Sequence, residues 1–161
     1  MGGLDLAVAG VADRTPPPGL AREVFVDVPL VVAAVPEHPL VAAHPDGDAV
    51  SPAAPEGHRL IGLPRGAGMR TVLERLCAGS GFRPQVVFEA ATPDALARLA
   101  ARGLGVAVLP GPDPRPGLRA LPLADPRARA RAVLVRRARG PLSLAARELL
   151  GRLREELRAG S

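Results

Sequence analysis

Apolar residues fall into short runs separated by proline- and glycine-rich breaks, and the runs alternate between strand and helix periodicity. Residues 59–63 form a short apolar strand that leads into the flexible loop Pro64-Arg65-Gly66-Ala67-Gly68. Met69, Val72, Leu73, Leu76 and Cys77 then recur at helical spacing, and Gly79 and Gly81 stop that helix. Residues 85–89 predict a second strand, followed by Thr92-Pro93-Asp94. Those three carry a helix start: a hydroxyl cap, a proline where no backbone donor is needed, and a carboxylate near the positive helix end. Leu96, Leu99 and Ala100 continue the helix to Gly103, and residues 104–109 predict a buried strand. Two consecutive βα units predict a parallel sheet whose loops gather at one edge, where small ligands bind.

The flanks are less regular. Residues 4–9 predict a strand, and Thr15-Pro16-Pro17-Pro18-Gly19 a loop. Residues 23–28 have strand composition, and beyond Pro29 residues 30–35 predict a second, buried strand. Pro36-Glu37-His38-Pro39-Leu40 breaks it, and residues 44–57 read as a connection with one turn of helix at most. After the βα block, residues 111–117 form a stiff loop, and residues 118–123 and 132–136 predict two further strands. Leu142, Ala146, Leu149, Leu153 and Leu157 make an apolar stripe on a closing helix. No internal repeat of solenoid length is present.

At 161 residues and 47% hydrophobic content, the chain suffices for one ordinary domain or two small lobes. No apolar run approaches the roughly 18–20 residues needed to cross a bilayer. The start lacks a basic segment followed by an apolar one, so no signal peptide is expected. A single cysteine excludes an internal disulfide framework and fits a reducing compartment, so the expected location is the cytoplasm. All 21 basic side chains are arginine. Residues 115–161 hold 12 Arg against 4 acids, and residues 1–114 hold 9 against 12. Such a basic tail raises nucleic acid as a partner. However, Arg147, Arg152, Arg154 and Arg158 alternate with Glu148, Glu155 and Glu156 on the polar face of the closing helix. Arg127, Arg129 and Arg131 precede an apolar strand and read as solvated. With three Phe and neither Tyr nor Trp, no stacking platform exists, and direct DNA binding by this chain is not expected.

Catalytic constellations are equally poorly supported. Cys77 lies on the apolar stripe of its helix with no basic neighbour to lower its pKa, so it reads as a structural thiol. His38, His44 and His58 lack metal-ligand spacing, Asp46-Gly47-Asp48 is too short for a calcium loop, and no Ser sits in a Gly-x-Ser-x-Gly turn. The expectation is a protein that is not an enzyme and carries no metal or cofactor. Gly66-Ala67-Gly68 before a helix either presents backbone N–H groups to an anion or simply makes a turn. Thr92 caps its helix, and Arg65 and Arg70 are candidates to pair with a carboxylate ligand.

The order of the segments resembles the effector-binding domain of LysR-type transcriptional regulators. Four stretches carry the resemblance. Gly3-Leu4-Asp5-Leu6-Ala7-Val8 is similar to the family's glycine-leucine-aspartate strand. Residues 30–35 with Glu37-His38-Pro39-Leu40 match its strand and His-Pro-Leu turn. Thr92-Pro93-Asp94-Ala95-Leu96 through Arg102-Gly103-Leu104-Gly105-Val106-Ala107-Val108-Leu109-Pro110 matches its most characteristic stretch. Leu121-Pro122-Leu123-Ala124-Asp125, Val133-Leu134-Val135 and the last helix then follow in order.

The resemblance implies an α/β, type II periplasmic-binding-protein-like fold: two lobes joined by two crossing segments, with an effector in the cleft. It places residues 39–123 in lobe two and residues 1–38 and 124–161 in lobe one. It implies effector contacts from Arg65, Gly66, Ala67, Gly68, Met69, Ala91, Thr92 and Pro110. The implied partners are a small, anionic or polar effector and a homo-oligomer or a full-length regulator. The chain departs from the family in lacking the helix-turn-helix domain, the linker helix and the opening βα units of lobe one. Lobe one is therefore expected to be incomplete, with an apolar face and an unpaired strand edge, and effector affinity weaker than that of an intact protein. A misassigned start, a gene fragment or a partner that supplies the missing half each explains this. The expected function is that of an effector-binding fragment of such a regulator. The alternatives are a stand-alone solute-binding protein of the same fold and an inactive truncated product.

Overall fold

The structure is a computed structural model that describes residues 6–12, 18–112, 115–137 and 144–159. Gly3-Leu4-Asp5, Thr15-Pro16-Pro17, Asp113-Pro114 and Leu142 lie outside the described residues. The described chain runs β1 (Leu6–Val11), β2 (Leu20–Ala34), α1 (Pro39–Ala42), β3 (Leu60–Gly62), α2 (Gly68–Gly79) and β4 (Val86–Glu89). It continues with α3 (Pro93–Ala101), β5 (Val106–Pro110), β6 (Arg119–Pro122), β7 (Arg129–Arg137) and α4 (Leu144–Ala159). The strands form one seven-stranded sheet in the order β1-β7-β2-β5-β3-β4, with β6 also on β2.

The two βα units build the parallel portion, with β3 between β4 and β5. Helices cover both its faces, so its strands are apolar on both sides. Leu60, Val106 and Val108 pack in one cluster with Val72, Leu73, Leu76 and Cys77 of α2. Ile61, Ala107 and Leu109 pack in the other with Leu96, Ala97 and Ala100 of α3. β4 is the outer strand of this portion, and Phe88 on it is 43% exposed.

Pro29 does not separate two strands as its sequence context suggests; β2 is one strand of 15 residues that runs through it. Residues 20–29 pair with β7, whereas residues 30–33 pair with β5 and 31–34 with β6. The proline sits at this change of partners. Its carbonyl accepts from the Gly111 amide at 2.8 Å, just past the end of β5. The missing N–H therefore falls where that ladder has already ended, a place in which a sheet tolerates proline. The Leu30 amide donates to the Ala128 carbonyl at 2.8 Å on the opposite edge. β2 and the β6–β7 segment thus cross together, antiparallel, from the α2/α3-covered portion to the β1-β7-β2 portion.

The periphery is tied to this sheet by short contacts. Residues 44–57 form turns without a helix, tied down where Val50 bridges Leu123. His38 is the N-cap of α1, its Nδ1 accepting from the Leu40 amide at 3.1 Å. On α4, Leu150 is buried while Leu149 of its apolar stripe is 49% exposed and Leu144, outside the stripe, is 76% exposed. Among the described residues β1 is paired along one edge, to β7. Among the described residues no helix is long and apolar enough to cross a membrane.

The His38 cap gives the fold a pH dependence with a definite sign. Burial, and secondarily the charge of His58, whose ring centroid lies 5.1 Å away, lower the His38 pKa below its ordinary 6.5. The unfolded chain therefore binds that proton more readily than the folded one. Its contribution to stability is complete above about 6.5 and is lost as pH falls toward the lower folded value. His38→Asn keeps a capping acceptor without the titration. Denaturant unfolding at pH 7 and pH 5 is expected to show a smaller loss of stability for this variant than for the parent.

Candidate functional site

The three loops at the C-terminal edge of the parallel strands converge as the βα pattern requires. The first, residues 63–67, follows β3. Gly66 adopts φ +94°, a left-handed conformation that glycine reaches without strain. The Ala67 amide closes the turn on the Pro64 carbonyl at 3.2 Å. Ala67 is the N-cap of α2 and offers no side-chain cap, so the opening amides of the helix are left to other acceptors. Arg65 stands beside them with its side chain 85% exposed, its nearest acid being Glu74 at 3.9 Å.

The second loop, residues 90–92, leads into α3. Ala91 and Thr92 are exposed. Thr92 Oγ1 accepts from the Ala95 amide at 3.2 Å, the cap that the Thr-Pro-Asp pattern predicts. The third loop begins at Pro110, which lines a groove of about 210 Å³ together with Val31, Leu109, Pro112, Arg115 and Leu118.

Two of the expected contact residues also pack into the fold. Met69 packs against both core clusters, at their junction. Gly68 is buried, and a Cβ on it would lie 2.5 Å from the Val11 nitrogen and 2.6 Å from the Gly10 carbonyl carbon. The start of α2 is thus pressed against the end of β1, and the two portions of the sheet touch beside the loop edge.

Arg70, the other candidate for a carboxylate ligand, is committed to the fold. Its side chain is 7% exposed, and Nη1 donates to the buried Leu63 carbonyl at 2.9 Å and to Glu89 Oε1 at 3.3 Å. Its Nε donates to Glu74 Oε1 at 3.0 Å. It therefore ties the ends of β3 and β4 to α2.

The residues that the sequence pattern missed lie on the crossing strands. Asp27 of β2 is opposite Arg131 of β7 in register. Asp27 Oδ1 accepts a short hydrogen bond from Arg129 Nε, and Asp27 Oδ2 accepts from Arg131 Nε at 3.4 Å. The Arg129 hydrogen bond, supported by the Arg131 charge, lowers the Asp27 pKa against the opposing effect of burial. Arg129 and Arg131 are thus strand residues of β7, and the Arg131 side chain is only 10% exposed rather than solvated. Alternation along β7 places residues 129, 131 and 133 on one side, but only the long-range pairing with β2 supplies the acid.

Cys77 is buried, and desolvation, with the Glu74 charge adding to it, raises its thiol pKa to about 11. At pH 8, native Cys77 is expected to react with a thiol reagent at least about 100-fold more slowly than in the unfolded chain. Among the described residues, no group of His, Cys, Asp and Glu is arranged to hold a metal ion.

Comparison with known proteins agrees with this geometry. The regulatory domain of Synechocystis PCC6803 CcmR, solved in complex with 2-PG, superposes with a TM-score of 0.73 at 24% identity, over 95% of this chain and 73% of that one. A mutant of OxyR from Corynebacterium glutamicum gives 0.68 at 21% identity, over 95% of this chain and 48% of that one. The effector-binding domain of QuiR in complex with shikimate gives 0.73 at 19% identity, over 89% of this chain and 66% of that one. The chain thus spans about half the length of the OxyR chain and about two thirds to three quarters of the two domains. No curated protein sequence matches it significantly. The fold is of the periplasmic-binding-protein-like type found in these regulator domains. The family model for the LysR substrate binding domain matches residues 1–158, and the chain belongs to that family.

Proposed function

We propose that this chain binds a small polar or anionic metabolite between its two sheet portions, at the loop edge of β3, β4 and β5. One observation carries the reading: the start of α2 and the end of β1 meet at Gly68 and Gly10, bringing the second portion to the edge where the three βα loops gather. Arg65, the amides of Gly66 and Gly68, and the exposed Ala91 and Thr92 supply the polar contacts, with Ala67 closing the loop as the N-cap of α2 and Pro110 at the far end of the edge. Met69 acts from beneath, fixing the loop to the core. The lobe boundary expected at residue 38 falls instead at Pro29, where β2 changes partners, so residues 20–29 go with β7 in one lobe and residues 30–34 with β5 and β6 in the other. CcmR with 2-PG and QuiR with shikimate, which share this fold, support a small-molecule ligand.

The chain acts by binding and not by catalysis. Ligand-dependent closure of the lobes is passed to a DNA-binding domain outside these residues, within a cytoplasmic homo-oligomer or together with a full-length regulator. The basic segment itself is not the DNA contact. Arg115 pairs with Asp94 at 2.7 Å, Arg119 donates to the Pro45 carbonyl at 2.8 Å, and Arg127 pairs with Asp125 at 2.8 Å. These arginines, like Arg129 and Arg131, serve the fold.

Thermal unfolding with 2-PG, shikimate and a panel of small carboxylates and phosphates tests the reading. A ligand at 100 times its Kd is expected to stabilise the chain by about 2.7 kcal/mol. Arg65→Ala, which removes an exposed side chain, is expected to weaken that ligand without lowering the melting temperature of the free protein. A panel in which no compound stabilises the chain would count against the reading.

A further inference from the structure

We propose that a groove beside the crossing strands is a second small-molecule site, one that takes an amphipathic carboxylate with its anionic head on Arg131. The groove has a volume of about 370 Å³, within the roughly 300–1,000 Å³ of small-ligand sites. None of the loop-edge residues assigned above lines it. Ala12 and Arg131 enter it from the β1-β7 portion, and Val72 and Leu76 enter from α2. Pro126 and Arg127 close it from the segment between β6 and β7, and Arg75 also reaches its wall.

Charge and burial set the ligand class. Asp27 carries a single negative charge against two guanidinium groups, and Arg129 makes the nearer contact with it through both its carboxylate and its backbone carbonyl. Arg131 reaches Asp27 only through Nε at 3.4 Å, although its side chain is nine-tenths buried. Among the described residues Arg131 makes no other side-chain hydrogen bond, and its side chain lines the groove. A largely desolvated cation with spare donors favours a carboxylate, which accepts hydrogen bonds from such a fork. Ala12, Val72, Leu76 and Pro126 give the wall an apolar part beside Arg75 and Arg127, so the body of the ligand is hydrocarbon. Phosphate alone satisfies the cation and leaves that wall uncovered. Because the wall draws on both sheet portions, an occupant contacts them together beside the segment on which they pivot.

Methyl NMR with hexanoate as the probe, and with hexan-1-ol and inorganic phosphate as controls, tests this site. Hexanoate is expected to shift the Val72 and Leu76 methyl signals saturably, and both controls to bind at least about tenfold more weakly. Arg131→Gln, which leaves Asp27 its Arg129 partner, is expected to weaken hexanoate by about tenfold or more. Arg65→Ala is expected to leave it unchanged. Should Arg131→Gln disturb the fold, the exposed Arg127→Ala variant is expected to weaken hexanoate while leaving the free spectrum intact. Unshifted Val72 and Leu76 methyls, equal binding of hexan-1-ol, or shifts confined to the amides of residues 66–68 and 91–92 would overturn the proposal. The last result would leave the loop-edge reading standing.

Discussion

Replacing Arg70 by alanine is expected to destabilise the protein by about 2–4 kcal/mol, measured by denaturant unfolding. For a chain of this size that lowers the melting temperature by roughly 5–15 °C. The reason is the company the guanidinium keeps. Removing it leaves the Leu63 carbonyl without its 2.9 Å donor in a buried setting and opens a gap beside Gly62. An unsatisfied buried acceptor costs more than an average hydrogen bond contributes. Glu74 and Glu89 are partly exposed and regain water, so they add less. Glu74→Gln is accordingly expected to cost about 1 kcal/mol or less. Arg70→Lys keeps the charge but not the planar fork that reaches three acceptors, and should fall between the two. A cost below about 1 kcal/mol for Arg70→Ala would show that the ends of β3 and β4 are held by something else.

Gly68→Ala is expected to cost about 1–3 kcal/mol, because the added methyl meets main chain that cannot rotate away. The Cβ position lies 2.5 Å from the Val11 nitrogen and 2.8 Å from the Gly10 carbonyl oxygen. Relief requires the start of α2 to move off β1, which separates the two sheet portions at their point of contact. Hydrogen exchange should therefore quicken at residues 10–12 and 68–70 before it does in the β3–β5 core. The comparison variant is Gly66→Ala, which has open space but a positive φ of +94°. Its expected penalty is about 1–2 kcal/mol of local backbone strain, without the change in exchange on β1. If Gly68→Ala is neutral, the close approach of α2 and β1 is not a feature of the protein in solution.

The parts of the fold that depend on local pattern were legible in the sequence. The βα block shows why: the Thr92 cap, the Pro93 start and the strand of residues 106–110 are each encoded within a few neighbouring residues. Pro29 was misread because its tolerance depends on where β5 ends, a partner about 80 residues away in sequence. Arg70 and Arg131 were assigned to ligand and to solvent for the same reason. The acceptors that fix them, Leu63, Glu89 and Asp27, lie on other elements, and helical or strand spacing carries no trace of them. On α4 the stripe residue Leu149 is half-exposed and its neighbour Leu150 is buried, while Leu153 of the stripe is half-buried. Leu149 and Leu150 are both apolar, and periodicity alone does not decide which of them is buried. Of the eight residues expected at the loop edge, Gly68 is buried against β1 and Met69 packs between the core clusters, while Arg65, Gly66, Ala91 and Thr92 are exposed.

The proposed site is the loop edge between the two sheet portions, and its proposed occupant a small polar ligand. Amide NMR of the chain, titrated with 2-PG, shikimate and the panel of small carboxylates and phosphates, tests it most directly. A binding compound is expected to shift the amides of residues 65–68 and 91–92, together with those of residues 10–12 across the contact. Saturable binding that leaves all of these amides unmoved would contradict it.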